Sequence, residues 1–308
     1  MTFTHLHVMT SITNVKGYRS RYALYRQFAA YLARFPNVTL WTIEGLYPGQ
    51  EPQVTKAGHP HHVQVALTQP LWMMENLLNV LSRHLPDDGQ PLAWFDADVE
   101  LERIDWVNAS LAMLERCDLL QPYSTYMEYD SAGHLMPYSA SPSFAFHESR
   151  RDRSKPAVRF MSNTGGAWCA TREGFQRLGH RGGLADFCVV GQGDLILGAA
   201  LMNEPELALP DGISLGYRET VKAFTDATQQ ANLKVDYLPG KLYHHWHGAR
   251  SNRGYTRRTE LLVRTQYDPT RDLHYRPDGV MELAESRSME RLQGHLHNYF
   301  TTRKEDEK

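Results

Sequence analysis

Residues 91–99 read PLAWFDADV, an apolar run that stops abruptly at two aspartates one residue apart. A short apolar run without polar interruption suits a strand buried on both faces of a parallel sheet. Asp96 and Asp98 would then emerge at the strand's carboxyl end, the edge where open α/β sheets bind their ligands. Two carboxylates flanking the small Ala97 are suited to a hard cation, Mn²⁺ or Mg²⁺, and to phosphate oxygens bridged by it. A D-x-D triplet is common in loops, so its weight comes from the buried strand before it.

Strands and helices alternate on both sides of this stretch. HLHVMTSIT (5–13), VTLWTI (38–43) and HVQVAL (62–67) have the β-branched, apolar character of strands. Residues 20–35 place Leu24, Phe28, Leu32 and Phe35 at helical spacing, and residues 70–85 do the same with Leu71, Met74, Leu78 and Leu81. After the aspartates come a helix over 104–114, a strand at 117–123, a hairpin around 130–134 and a polar loop at 147–156. Helices over 172–178, 194–202 and 219–232 and two strands within 234–245 complete the pattern. It predicts a mixed, mostly parallel, Rossmann-like sheet flanked by helices. The expected organisation is a catalytic domain over 1–255 with a helical extension, 256–308, packed on it.

Composition narrows the function classes. Thirty-three Lys and Arg against thirty-five Asp and Glu give a formal net charge of −2, which argues against wholesale attraction to nucleic acid or membranes. Three scattered cysteines, Cys117, Cys169 and Cys188, build no disulfide framework and suit a reducing cytoplasm. The first twenty residues lack a signal-peptide core, and no run has the length of a membrane span, so no membrane anchor is expected.

Fifteen histidines are unusual, and three fall in LYHHWHGARSNRGYTRR (242–258). Imidazole shares transition-metal sites with carboxylates. Strand alternation would put His245 and His247 on one face and His244 on the other. Arg250, Arg253, Arg257 and Arg258 follow in a Ser/Asn/Gly-rich segment that could close on a pyrophosphate, since guanidinium matches phosphate oxygens. Arg257 and Arg258 fit the solvated start of a helix equally well.

With KGYRSRY (16–22), LWMMENLLN (71–79), WFDADV (94–99), QPYS (121–124), GGAWCATR (165–172), VVGQGDLILGA (189–199) and HHWHG (244–248) in place, the chain resembles the GT-A glycosyltransferases. Within them it resembles glycosyltransferase-like proteins frequent in phage and bacterial genomes. The resemblance implies a GT-A fold and transfer of a hexose or pentose from a nucleotide-sugar, UDP-sugar first, by an inverting route. It implies Asp98 as metal ligand, Asp96 toward the donor ribose or a metal-bound water, and His247 as second ligand, with His244 or His245 as substitutes. Asp194 in GQGD (191–194) is similar to the segment that presents a catalytic carboxylate, although many relatives carry an acid where Gly193 stands. Asp194 also suits the cap of the following helix.

Thr10, Arg19, Arg21, Glu75, Asn79, Ala97, Gly166, Arg250 and Arg253 are the remaining candidates for donor binding. Trp168 is a candidate for stacking on a sugar, although a core position suits it better. Arg150, Arg151 and Arg153 head a basic stretch that would suit DNA as acceptor, such as a hydroxymethylated base. Glycan or protein hydroxyls compete with it, and a solubilising loop explains the arginines too. Two rival classes are a nucleotidyltransferase-like enzyme and a non-catalytic sugar- or nucleic-acid-binding protein. The first usually carries a Gly-rich phosphate loop with Lys near its start, which NVKGYRSR is not; the second leaves DAD and HHWHG unexplained.

Overall fold

The computed structural model describes residues 2–136, 140–152 and 162–307. The first half contains β1 (Leu6–Thr13), α1 (Arg19–Leu32), β2 (Val38–Leu46), β3 (His62–Ala66), α2 (Met74–Ser82), β4 (Leu92–Phe95), β5 (Val99–Leu101), α3 (Trp106–Leu114), β6 (Leu119–Gln121), β7 (Thr125–Glu128), β8 (Ser141–Pro142) and α4 (Phe144–Ser149). The second contains β9 (Ala167–Ala170), α5 (Arg172–Gln176), α6 (Gly193–Met202), α7 (Leu215–Gln230), β10 (Val235–Tyr237), β11 (Lys241–His244), α8 (Tyr255–Thr265), α9 (Pro269–Asp272), β12 (Leu273–Tyr275), β13 (Met281–Leu283) and α10 (Arg287–Thr301).

Seven strands form the main sheet in the order β10-β6-β9-β4-β1-β2-β3. All its pairings are parallel except those of β9, which runs antiparallel to both β4 and β6. Alternation divides the apolar residues between two faces. Leu6 and Val8 of β1, with Ala93 and Phe95 of β4, pack beside Phe28, Leu32 and Trp106 of α1 and α3. Met9, Leu92 and Trp94 face the larger core with Leu77, Leu81 and Trp168. The architecture is therefore the helix-flanked, mostly parallel α/β sheet expected for a GT-A fold.

Several local expectations change. GGAWCATR yields β9, a buried strand that the pattern of residues had left unassigned. The helix expected from residue 70 starts only at Met74, because the Trp72 backbone N–H donates to Val189 O at 2.9 Å and holds the preceding segment out of register. The loop assigned to 147–156 begins inside α4, which Ser143 caps through its side chain. The strands expected to close the core part company: β10 takes one edge of the main sheet, and β11 joins a second sheet ordered β5-β11-β7-β8.

The segment after residue 255 is not wholly helical. It includes the β12–β13 ribbon, and DPTRD is a one-turn helix capped by Asp268. Met289, Leu292 and Leu296 of α10 join the larger core. The last residues return to the start of α1, where no side chain of the helix's own cap residue serves. Asp306 accepts from the Arg19 and Ser20 backbone N–H groups at 3.1 and 2.8 Å and caps α1 from 286 residues away along the chain. Tyr18 Oη donates to Thr301 O at 3.0 Å and accepts from the Lys304 backbone N–H at 3.1 Å. No helix among the described residues is long and apolar enough to cross a membrane.

Candidate active site and metal centre

The DAD triplet and the histidines meet because of one short ladder. Directly after Asp98 the chain enters β5, which pairs antiparallel with β11 and sets His244 opposite Val99. The His245 backbone N–H donates to Asp98 O at 2.8 Å and fixes the register. His244 Nε2 then lies 3.7 Å from Asp98 Oδ1, and His247 Nε2 lies 3.6 Å from Oδ2. One nitrogen from each histidine and one Asp98 oxygen all fall within 4.8 Å of one another, a spacing that one ion can draw together. Asp98 Oδ1 is buried without a hydrogen bond, which leaves it lone pairs that a cation can satisfy.

The expected strand alternation fails beyond His244, where β11 ends. His245 turns outward to Glu100 at 3.4 Å and stacks on Tyr129. His247 lies past the strand and turns back toward Asp98, before Gly248 leaves at a φ of 97° that a side chain would resist. The histidine pair facing the carboxylate is thus 244 and 247. Burial pulls both imidazole pKa values below the ordinary value; Asp98 opposes this at His244, whereas His244 and the neighbouring arginines reinforce it at His247 and carry that ring far below. Both are neutral at pH 7, as ligation requires.

These groups open onto a cavity of about 470 Å³, large enough for a small-molecule ligand. Arg21, Glu75, Ala97, Gly166, Asp194 and Arg253, all candidates from the sequence, line it together with Asp96 and Asp98. Residues outside the sequence candidates line it too. Trp72 lies under Arg258, whose guanidinium carbon stands 4.5 Å from the ring centre. Tyr299 and Phe300 come from α10, and Arg303 and Glu305 from the residues after it. No local motif announces them; the chain's end returns here through the Asp306 cap of α1, the Tyr18 bonds to Thr301 and Lys304, and the Arg21–Glu305 pair.

The four cavity arginines are held by the protein before any ligand arrives. Arg258 Nη1 donates to Val190 O at 2.8 Å, and Arg253 pairs with the buried Glu128 at 3.1 Å. Arg303 Nε donates to Glu305 at 2.8 Å, and Arg21 Nε donates to the same carboxylate at 3.0 Å.

Carboxylates gather deeper in the cleft. Burial, reinforced by Asp98 and Asp194, raises the Asp96 pKa well above the usual range. Glu75 is pushed up to about 8 by burial and then by Asp194. A side chain at Gly193 would start 2.5 Å from the Glu75 carboxylate, so GQGD has no room for an acid there. Asp194 is not the cap residue: α6 begins at Gly193 after Gln192, leaving Asp194 in the first turn. Its carboxylate accepts from Thr164 Oγ1 at 3.1 Å and faces the cavity.

Other candidates lie elsewhere. Thr10 is fully buried and donates to Phe95 O, while Arg19 is exposed near the Asp306 cap. Asn79 is spent on Leu184 and Asp186. Trp168 is a core residue stacked on Trp94. Arg250 is mostly exposed and pairs with Glu128. Arg150 lies over Phe146, and Arg151 pairs with Glu148 and Glu204. Arg153 lies outside the described residues.

No family model matches the chain, and no curated protein matches it. Among solved structures, it is similar to S. aureus TarS 1–349 at 12% identity, covering 85% of this chain and 65% of that one, with a TM-score of 0.40. A protein from Desulfovibrio desulfuricans G20 named for nucleotide-diphospho-sugar transfer is 12% identical over 86% of this chain and 98% of its own, with a TM-score of 0.34. The galactosyltransferase LgtC, solved with donor and acceptor sugar analogs, is 10% identical over 84% and 95%, with a TM-score of 0.35. Likeness this distant leaves the reaction to be read from the chain's own residues.

Proposed function

We propose that the chain is a metal-dependent glycosyltransferase that moves a sugar from a nucleotide-sugar donor to an acceptor hydroxyl. The observation that carries the reading is one cavity holding the Asp98–His244–His247 triad, four anchored arginines and the Asp194 carboxylate. A nucleoside diphosphate needs cationic partners for its phosphates, and Arg21, Arg253, Arg258 and Arg303 are the residues to meet them. Two imidazoles with a single carboxylate favour Mn²⁺ over Mg²⁺. A bound Mn²⁺ would supply Lewis-acid stabilisation of the departing diphosphate.

Asp194 is the base in this proposal. It takes the acceptor hydroxyl proton as that oxygen attacks the anomeric carbon, which inverts the configuration. Ser11 and Thr13 at the end of β1 take the place that Thr10 was expected to fill beside the nucleotide. Arg150 and Arg151 are engaged within the protein, so the proposal stops at an acceptor hydroxyl and does not extend to DNA.

The test is a panel of nucleotide-sugars incubated with the protein, with and without Mn²⁺, reading release of the nucleoside diphosphate. Mn²⁺-dependent release from one donor class is expected. Formation of pyrophosphate from a nucleoside triphosphate and a sugar phosphate, with no such release, would instead identify a nucleotidyltransferase.

A further inference from the structure

We infer that Arg303 is a positioning residue that holds His247 in the tautomer unable to take a cation, and that it releases the ring when it turns to the donor's diphosphate. The second half rests on the nucleotide-sugar reading; the first half concerns the protein alone.

A neutral imidazole carries one N–H and one lone pair. His247 is contacted at both ends. Arg303 Nη2 lies 3.3 Å from its Nδ1, and His244 Nε2 lies 3.1 Å from its Nε2. A guanidinium can only donate, so His247 Nδ1 must accept and the ring proton must sit on Nε2. That proton points at His244 Nε2, which therefore accepts, and the His244 proton moves to Nδ1, 3.9 Å from Glu128 Oε1. Every proton is placed once Arg303 is placed.

In this arrangement Asp98 offers lone pairs to a cation, while the His244 lone pair is taken by the His247 N–H and the facing nitrogen of His247 carries a hydrogen. For His247 to become a ligand, its proton must leave Nε2 for Nδ1. The proton is relocated through solvent and the ring stays neutral. An Nδ1–H would then oppose the Arg303 N–H across 3.3 Å, two donors with no acceptor between them. The guanidinium has to turn away.

The structure gives it somewhere to turn. Arg303 lines the same cavity as Arg21, Arg253 and Arg258, and it belongs to the segment after α10, not to a strand. Its anchor Glu305 keeps a second partner in Arg21, so that carboxylate stays paired when Arg303 leaves. A diphosphate in the cavity supplies acceptors that the imidazole cannot match. Cation and diphosphate thereby favour each other through one side chain, in addition to any direct contact between them.

Long-range ¹H–¹⁵N spectra of the metal-free protein read the tautomer directly. The expected result is His247 protonated on Nε2, moving toward the Nδ1-protonated form when UDP is added without metal. A wild-type ring already protonated on Nδ1 overturns the inference, and so does a ring unchanged by UDP at saturation. Mn²⁺ affinity, from the electron-spin signal of the free ion, is the second readout. Arg303→Met removes the donor, and Arg303→Lys keeps the charge but stops short of the Nη2 position. Both are expected to bind Mn²⁺ roughly tenfold more tightly than wild type without nucleotide. A gain in Arg303→Met alone would be a charge effect and overturns the gate. Equal affinity in all three proteins overturns the gate and leaves the cation site standing, whereas no Mn²⁺ binding in any of them overturns both.

Discussion

The metal end of the cleft and its arginine wall are built over very different distances in the chain. At the metal end, one ladder between β5 and β11 brings Asp98 and His244 together, and each follows or ends a strand recognisable in the sequence. At the wall, Arg21 follows β1, Arg253 and Arg258 flank the start of α8, and Arg303 comes from the tail, which is tied back to α1 by Asp306. The two ends also differ in how their charges are kept. Asp98 has a buried oxygen without a hydrogen bond, whereas each arginine already has a partner within the protein. The metal end is open for a ligand; the wall is part of the fold.

That contrast breaks first on a pair of substitutions. Asp98→Ala is expected to abolish Mn²⁺ binding in titration calorimetry while the melting temperature holds or rises, because repulsion on Asp96 is relieved. Arg253→Ala is expected to do the reverse. It strips one of two arginine partners from Glu128, which is only 2% exposed, and because Arg250 remains the loss should stay below the about 3–5 kcal/mol of a buried pair broken outright. Equal melting temperatures for the two variants would erase the distinction between the ends.

The next effect in size concerns Asp194, which belongs to neither end. Asp194→Asn keeps shape and can still accept from Thr164, but it cannot take a proton. Transfer should fall by roughly 10²–10⁴-fold with donor affinity unchanged. Near-normal turnover would remove Asp194 as the base and reopen a retaining route.

How much could be read from the sequence follows the same division. PLAWF ending in DAD, and KLYHH followed by WHG, were legible because apolar strands stopping at polar residues are local patterns. The choice among His244, His245 and His247 was not, because alternation holds only while the strand lasts and β11 ends at His244. GGAWCATR hid β9, since its glycines suggested substrate approach while Ala167–Ala170 formed a buried antiparallel strand. Trp72, Tyr299, Phe300, Arg303 and Glu305 were invisible for a stronger reason. Their place depends on long-range packing and on a helix cap supplied 286 residues away, which no periodicity encodes.

Glu75 sharpens the comparison at the cleft floor, through pH. Its pKa in the folded protein is about 8, against an ordinary 4.5, so between these values the native state holds a proton that the unfolded chain has lost. The contribution of Glu75 to stability therefore falls as pH rises from about 5 to 8, by up to about 1.4 kcal/mol per pH unit, while the lowered His244 and His247 act in the opposite sense up to about pH 7. Glu75→Gln stays neutral and should lack this decline, overtaking wild type toward pH 8 in urea unfolding. Parallel pH profiles for the two proteins would mean that Glu75 is ionised in the cleft and belongs with the open carboxylates.

The smallest expected effect lies outside the cleft, at Arg150 and Arg151. A stretch that binds DNA presents cations free to neutralise phosphates, and each neutralised phosphate steepens the salt dependence of binding. Arg150 instead lies 4.6 Å over the Phe146 ring, and Arg151 is shared between Glu148 and Glu204. Both arginines resemble those of the wall in being engaged by the protein, yet neither lines the cavity. Arg150 is exposed, whereas Arg151 is only 14% exposed between its two carboxylates, so the double Ala variant should unfold at modestly lower urea, chiefly through Arg151, with donor binding unchanged. Its weak binding to DNA, followed by fluorescence anisotropy, should show the same salt slope as wild type. A slope that flattens by one or two charges would mean that the arginines leave their carboxylates for phosphate, and DNA would return as an acceptor.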